Sequence, residues 1–170
     1  MLERRSALAS ARPYKSSRLQ IGEAPGFTLT QVAGLVGEEL PAKVGIAASI
    51  KGRTVMRVGP DHFWFTGPEH DGIASELQGR AVLTPLSHSR TRIFLDGTPS
   101  RDVLAKGIPL DFHPRAFTPG NFAMTGLHHT PVLIHCIADN GFHLYAMRSF
   151  AMSVWEWLTD AALEYGVETK

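Results

Sequence analysis

The sequence predicts an α+β protein built mainly on antiparallel sheet. Three observations carry this. Strands and helices do not alternate regularly enough for a doubly wound parallel sheet. The second half reads strand, helix, strands, helix, the order of a ferredoxin-like unit. Its last strands form a meander, with Asp139-Asn140-Gly141 as a strong hairpin turn between two of them. Residues 1–17 are set apart as an N-terminal arm. Residues 18–167 are read as one globular domain, divisible into two packed half units of about 18–86 and 87–167.

The arm is rich in Arg, Ser and Ala and has no sustained apolar period. It reads either as a disordered tail or as an arm that orders on a partner. Phe27 to Val36 alternates and predicts a strand. Residues 37–52 are ambiguous: Glu38-Glu39-Leu40 could begin a helix, but Pro41 and Gly45 interrupt it. Thr54 to Val58 and His62 to Thr66 are strands joined through the turn Gly59-Pro60-Asp61. Glu69 to Gln78 predicts a short helix, with Ile73 and Leu77 one turn apart. Ala81 to Leu86 is the next strand.

The run Leu86 to Gly120 is the most informative stretch. Thr91 to Leu95 is β-branched and apolar and ends at Asp96-Gly97, so it predicts a buried strand and a turn. Thr98 offers a hydroxyl at an N-cap and Pro99 a first helical position. Val103 and Leu104 form the inward face of a short helix. Lys106 favours its last turn, and Gly107 is expected in the left-handed C′ conformation. From Ile108 to Gly120, three prolines forbid helix, yet four apolar residues make a poor solvated loop. This loop must pack on its own domain or on another chain.

Asn121 to His128, Pro131 to Ala138 and Phe142 to Met147 are the meander strands. Ser149 is expected to cap a helix from Phe150 to about Tyr165, ended by Gly166. Its core stripe is predicted as Phe150, Val154, Leu158, Ala161 and Tyr165, flanked by Ala151, Trp155 and Ala162. Met152 and Leu163 point the other way, and Trp157 lies at the stripe's edge.

Composition excludes several classes. The chain has 170 residues, 44% hydrophobic and 19% charged, which suits one ordinary domain with a real core. A net charge of +1 gives no basic face for nucleic acid. The single Cys136 cannot form an internal disulfide and does not suggest secretion. No apolar run approaches the ~20 residues of a membrane helix. No apolar stretch follows Arg4, Arg5 and Arg12, so no signal peptide is expected and a cytoplasmic location is the default.

No catalytic constellation stands out. His113, His128, His129, His135, Cys136 and His143 raise a metal reading, but zinc needs converging ligands at close spacings. Neighbours such as His135 and Cys136 face opposite sides of a strand, so no metal site is expected. Ser87-His88-Ser89-Arg90 is not a nucleophile–base pair for the same reason. There is no GxSxG, no GxGxxG and no GxxxxGK[ST], so no catalytic and no flavin, NAD or ATP residues are assigned. Lys106-Gly107 and Arg115 are lone basic positions. Asp111 is the sole acid suggestive of a folate-ring anchor.

Three runs carry a family resemblance: LSHSRTRIFLDG at 86–97, DVLAKGIPLDFHPRAFTPG at 102–120 and YAMRSFAMSVWEWL at 145–158. They resemble the gamma subunit of heterotetrameric sarcosine oxidase. The likeness is best over 81–166 and weaker over 22–79, and Arg5-Ser6-Ala7-Leu8-Ala9 also resembles that subunit's start. Segment 37–52 is shorter than the family's helix there.

The resemblance implies a fold like that of the folate-binding aminomethyltransferase (T-protein) of the glycine cleavage system. It implies a noncatalytic structural role beside alpha, beta and delta subunits. In such a complex the alpha and beta subunits carry FAD, FMN, NAD and tetrahydrofolate, and delta carries zinc. The complex demethylates sarcosine to glycine, forming hydrogen peroxide and methylene-tetrahydrofolate. A complex acting on another N-methylated amino acid is a variant. A stand-alone folate-binding protein or aminomethyltransferase-like enzyme is the alternative, and an unrelated interaction module a third.

Two apolar features are expected to dock on a larger subunit because the chain's own core does not need them. One is the loop bearing Phe112, His113, Arg115 and Phe117. The other is the outer side of the last helix, with Met152, Trp157 and Leu163. The competing reading folds Phe112 and Phe117 back into the domain.

Overall fold

The computed structural model describes residues 5–34, 40–41, 43–68, 73–77 and 79–166, with only the backbone at 73 and 74. The elements in order are β1 (Tyr14–Lys15), β2 (Gln20–Glu23), β3 (Phe27–Ala33), β4 (Ala48–Ile50), β5 (Arg53–Gly59), β6 (His62–Pro68), α1 (Ile73–Glu76), β7 (Val82–Pro85), β8 (Arg90–Asp96), α2 (Ser100–Ala105), β9 (Phe122–Leu127), β10 (Thr130–Ala138), β11 (Gly141–Met147) and α3 (Ala151–Ala162). The strands form a six-stranded sheet, β1-β2-β8-β11-β10-β9, and a five-stranded sheet, β4-β5-β6-β3-β7. Every strand pairing is antiparallel.

Period-two alternation builds the layers. In β8, Thr91, Ile93 and Leu95 are buried on one face. That face meets Val103 and Leu104 of α2 and Val154 and Leu158 of α3. The opposite face of the same sheet turns Leu133 and Tyr145 toward Phe27, Leu29, Met56 and Trp64 of the second sheet. Phe27 and Trp64 meet the Tyr145 ring edge-on at 5.9 and 6.4 Å. The far face of the second sheet buries Val32, Val55, Phe63, Phe65 and Leu77. The layers are therefore helices, sheet, sheet and a last apolar layer.

Several expectations need correction. The arm packs on its own domain: Leu8 and Tyr14 join the helix-side core, and the Tyr14 hydroxyl donates to the Ala162 carbonyl at 2.7 Å. The boundary at 86/87 does not separate the sheets, because β1 and β2 pair into the sheet of the second half. β3 ends at Ala33, and Gly34 takes φ 113°. The expected end of that strand at Val36 lies outside the described residues, as do Glu38-Glu39 and the flanks 69–72 and 78 of the expected helix. The described part of that helix is Ile73–Glu76.

The two helix starts also differ. Neither α2 nor α3 has a side-chain cap bond: Pro99 and Phe150 occupy the N-cap positions, not Thr98 and Ser149. The chain enters α2 through a turn in which Ser100 N–H donates to the Gly97 carbonyl at 3.0 Å. It enters α3 through a 3₁₀ turn at Arg148–Phe150. That tighter winding throws Phe150 off the helix face, so the buried stripe is Ala151, Val154, Trp155, Leu158 and Ala162.

Candidate partner interface

The Pro-rich loop is held from inside by Arg101 of α2. Arg101 as a whole is 8% exposed. Its Nη1 donates to the carbonyls of Phe112 and Phe117 at 2.7 and 2.9 Å, and its Nε to that of Asp139 at 2.9 Å. It also lies 5.2 Å from the centre of the Phe142 ring. A fork of fixed N–H groups thus ties both ends of the loop to the β10–β11 turn. Beside it, burial pushes the Cys136 thiol pKa up.

Clamped this way, Phe112 and Phe117 point inward and are 6% and 8% exposed. Phe117 stacks on Phe142 at 6.5 Å, and Phe112 meets Phe142 edge-on at 6.0 Å. The expectation that the core has no use for them is therefore corrected: they are part of it. The loop presents His113, Pro114, Arg115 and Ala116 to solvent. Asp111 closes the turn by accepting from His113 N–H at 2.8 Å, and His113 Nδ1 accepts from Arg115 N–H at 3.2 Å. A carboxylate already accepting from its own exposed turn is a poor anchor for a pterin ring.

Leu163, in the 3₁₀ turn that follows α3, is exposed, while Met152 and Trp157 of α3 are partly buried against the helix-side core. Met152 therefore does not point fully outward. The Trp157 ring meets His128 edge-on at 5.4 Å. Lys106 does not serve its own helix end. It reaches the end of α3 and the 3₁₀ turn after it, donating to the Ala161 carbonyl at 2.5 Å and pairing with Glu164. Gly107 is not left-handed.

The histidines scatter. His113 and His129 are exposed, and His128 sits at φ 50°. His135 and His143 face each other across β10 and β11, and burial lowers each pKa to about 4, so both are neutral imidazoles. Cys136 lies on the opposite, helix-side face. Among the described residues no group of three or more His, Cys, Asp or Glu is placed to hold a metal ion. Ser87 clips two strands, accepting from Leu29 N–H at 2.9 Å, and His88 beside it is exposed. Sequence reasoning passed over Arg101. The signal was available: a basic residue three positions before buried Leu104, on the inward side of a short helix.

Two antiparallel sheets with α2 and α3 on one outer face define an aminomethyltransferase-type α+β fold. The solved structure of glycine cleavage system aminomethyltransferase T from Bartonella henselae superposes with a TM-score of 0.63, at 13% identity, over 89% of this chain and 47% of that one. The chain belongs to the sarcosine oxidase, gamma subunit family, whose model matches residues 22–164. It is 31% identical over 157 residues to sarcosine oxidase subunit gamma from Corynebacterium sp. (strain U-96), covering 88% of this chain and 77% of the relative. It is 34% identical over 143 residues to the same subunit from Corynebacterium sp. (strain P-1), covering 81% and 70%. A chain of the heterotetrameric sarcosine oxidase from Corynebacterium sp. U-96, in complex with pyrrole 2-carboxylate, superposes with a TM-score of 0.85 at 26% identity, over 98% of both chains.

Proposed function

We propose that this chain is a noncatalytic assembly subunit of a heterotetrameric sarcosine oxidase-type complex, working beside alpha, beta and delta subunits. The observation that carries this is the end-to-end superposition, over 98% of both chains, on one chain of a heterotetrameric oxidase. The sequence supports the noncatalytic part. It has no nucleotide-binding glycine signature, and its one suggestive acid, Asp111, is used in an exposed turn.

In this reading FAD, FMN, NAD and tetrahydrofolate belong to the alpha and beta subunits and zinc to delta. The complex oxidises sarcosine to glycine with formation of hydrogen peroxide and methylene-tetrahydrofolate. The site of action is the cytoplasm. No helix among the described residues is long and apolar enough to cross a membrane, which agrees with a complex in solution.

Co-expression with the other three subunits tests the proposal. The chain should co-purify in a complex that oxidises sarcosine, while the chain alone should carry no flavin absorbance and should not bind tetrahydrofolate in calorimetry. Micromolar folate binding by the isolated chain, lost in Asp111→Ala, would establish the stand-alone enzyme instead.

A further inference from the structure

We infer that the surface running from Met124 past Met147 to Met152 docks an acidic, apolar segment of a partner subunit. The inference rests on the assembly role proposed above and locates it on the molecule. Two open depressions, of about 330 and 680 Å³, share Arg90 and Met147 in their walls, so they adjoin across these two side chains and together make the trough. Met124 stands at one end, on the edge strand β9, and is 58% exposed. Met152, in the first turn of α3, lines the other end. Unbranched thioethers adapt their shape to a partner, and methionines are enriched where surfaces meet.

The charge of the trough is one-sided. Arg90, Arg148 and His88 line it, and no Asp or Glu does so among the described residues. Arg90 is partly buried, over the Trp64 ring at 5.6 Å, and among the described residues its guanidinium donates to the hydroxyl and carbonyl of its neighbour Ser89. Burial lowers its pKa, as expected of a cation that has lost water without gaining a carboxylate. Arg148 donates to the Arg5 carbonyl and likewise meets no acid among the described residues. The half-desolvated Arg90, with the exposed Arg148 beside the same apolar surface, complements carboxylates carried on an apolar segment. The trough is separate from the tip of the loop at 113–116 and from Leu163.

The experiment uses the co-expressed complex. Met124→Asp and Arg148→Glu alter exposed side chains, and Val82→Asp, at an exposed position outside the trough, is the control. Circular dichroism verifies that each variant folds. Met124→Asp and Arg148→Glu are expected to weaken assembly by about tenfold or more, with the control unchanged. In parallel, a benzophenone attached to Met124→Cys should cross-link to an alpha, beta or delta peptide carrying more Asp and Glu than Lys and Arg. Buried Cys136 does not compete for the label.

Wild-type assembly that both variants share at full strength would overturn the trough and leave the assembly role standing. So would a cross-link to a second copy of this chain, to a basic peptide, or to nothing. Failure of the wild type itself to assemble would overturn both.

Discussion

The indole of Trp157 fills the space that a side chain at position 107 would need. A Cβ on Gly107 would lie 2.4 Å from Cζ2 of that ring and 3.0 Å from Cδ1 of Leu127. Gly107 is thus required for close approach and not for its backbone angle, since it lies outside the left-handed region. Gly107→Ala should destabilise the fold by roughly 1–3 kcal/mol through overpacking. Trp157→Leu in the same chain should recover part of that loss, because the clashing atoms are gone. Urea unfolding of the two single variants and the double variant measures the coupling, and strictly additive effects would contradict the contact.

Arg101 makes the loop at 108–120 part of the domain. Arg101→Met keeps the apolar stem but strips the donors from the Phe112, Phe117 and Asp139 carbonyls. Leaving buried acceptors unpaired should cost about 3 kcal/mol or more. Arg101→Lys should recover little, since one ammonium cannot span the fork. Limited proteolysis should show new cleavage near 113–116 in both variants. A loop that stays as resistant as wild type would mean the clamp is not what holds it.

His135 and His143 predict acid sensitivity. Burial holds both near pKa 4 in the folded chain, against about 6.5 unfolded. Below pH 6.5 the unfolded chain binds protons that the folded chain refuses. Stability is therefore full above pH 6.5 and falls as the pH drops from 6.5 toward 4. The coupled pair should account for a few kcal/mol over that window. Unfolding free energy measured from pH 7.5 to 5 should decline in the wild type and decline less in His135→Leu. Equal slopes would show that the His135 imidazole is not desolvated as the geometry requires.

Much of this architecture was legible because it is local. The period-two burial of Thr91, Ile93 and Leu95 can be read directly from residue types, as can the Asp139-Asn140-Gly141 turn. What was illegible depends on distant partners. Nothing in Gln20–Glu23 says that it pairs with β8, whose partner residues lie 70 or more positions later in sequence. Phe112 and Phe117 announce that the loop must bury something, but only Arg101 and Phe142 decide that it buries them in its own domain. The buried stripe of α3 keeps the expected Val154 and Leu158 but takes the flanking Ala151 and Ala162 in place of Phe150 and Ala161, because local propensity does not reveal a 3₁₀ entry turn. Met124, Met147 and Met152 come from three elements, and no sequence spacing links them.

Gly97 makes the final prediction, and it concerns how the N-terminal strands are attached. This residue sits at φ 134°, where L side chains are strained. A Cβ there would also lie 2.1 Å from the carbonyl oxygen of Arg18 and 2.9 Å from Cα of Leu19. Both obstacles are backbone, so neither can swing aside as a side chain would. Gly97→Ala should therefore cost about 2–4 kcal/mol, combining backbone strain with overpacking. The loss should be localised. Leu19 and Ile21 are buried by β2 lying against β8, and the alanine pushes directly on the turn before β2. The β10–β11 hairpin is held by its own ladder on the far side of β8. Hydrogen exchange should accelerate at residues 14–23 well before it changes at residues 130–147. If both segments lose protection together, β1 and β2 are not a separately releasable unit. If neither changes, the close approach of Gly97 to the Arg18 carbonyl is not a constraint on the fold.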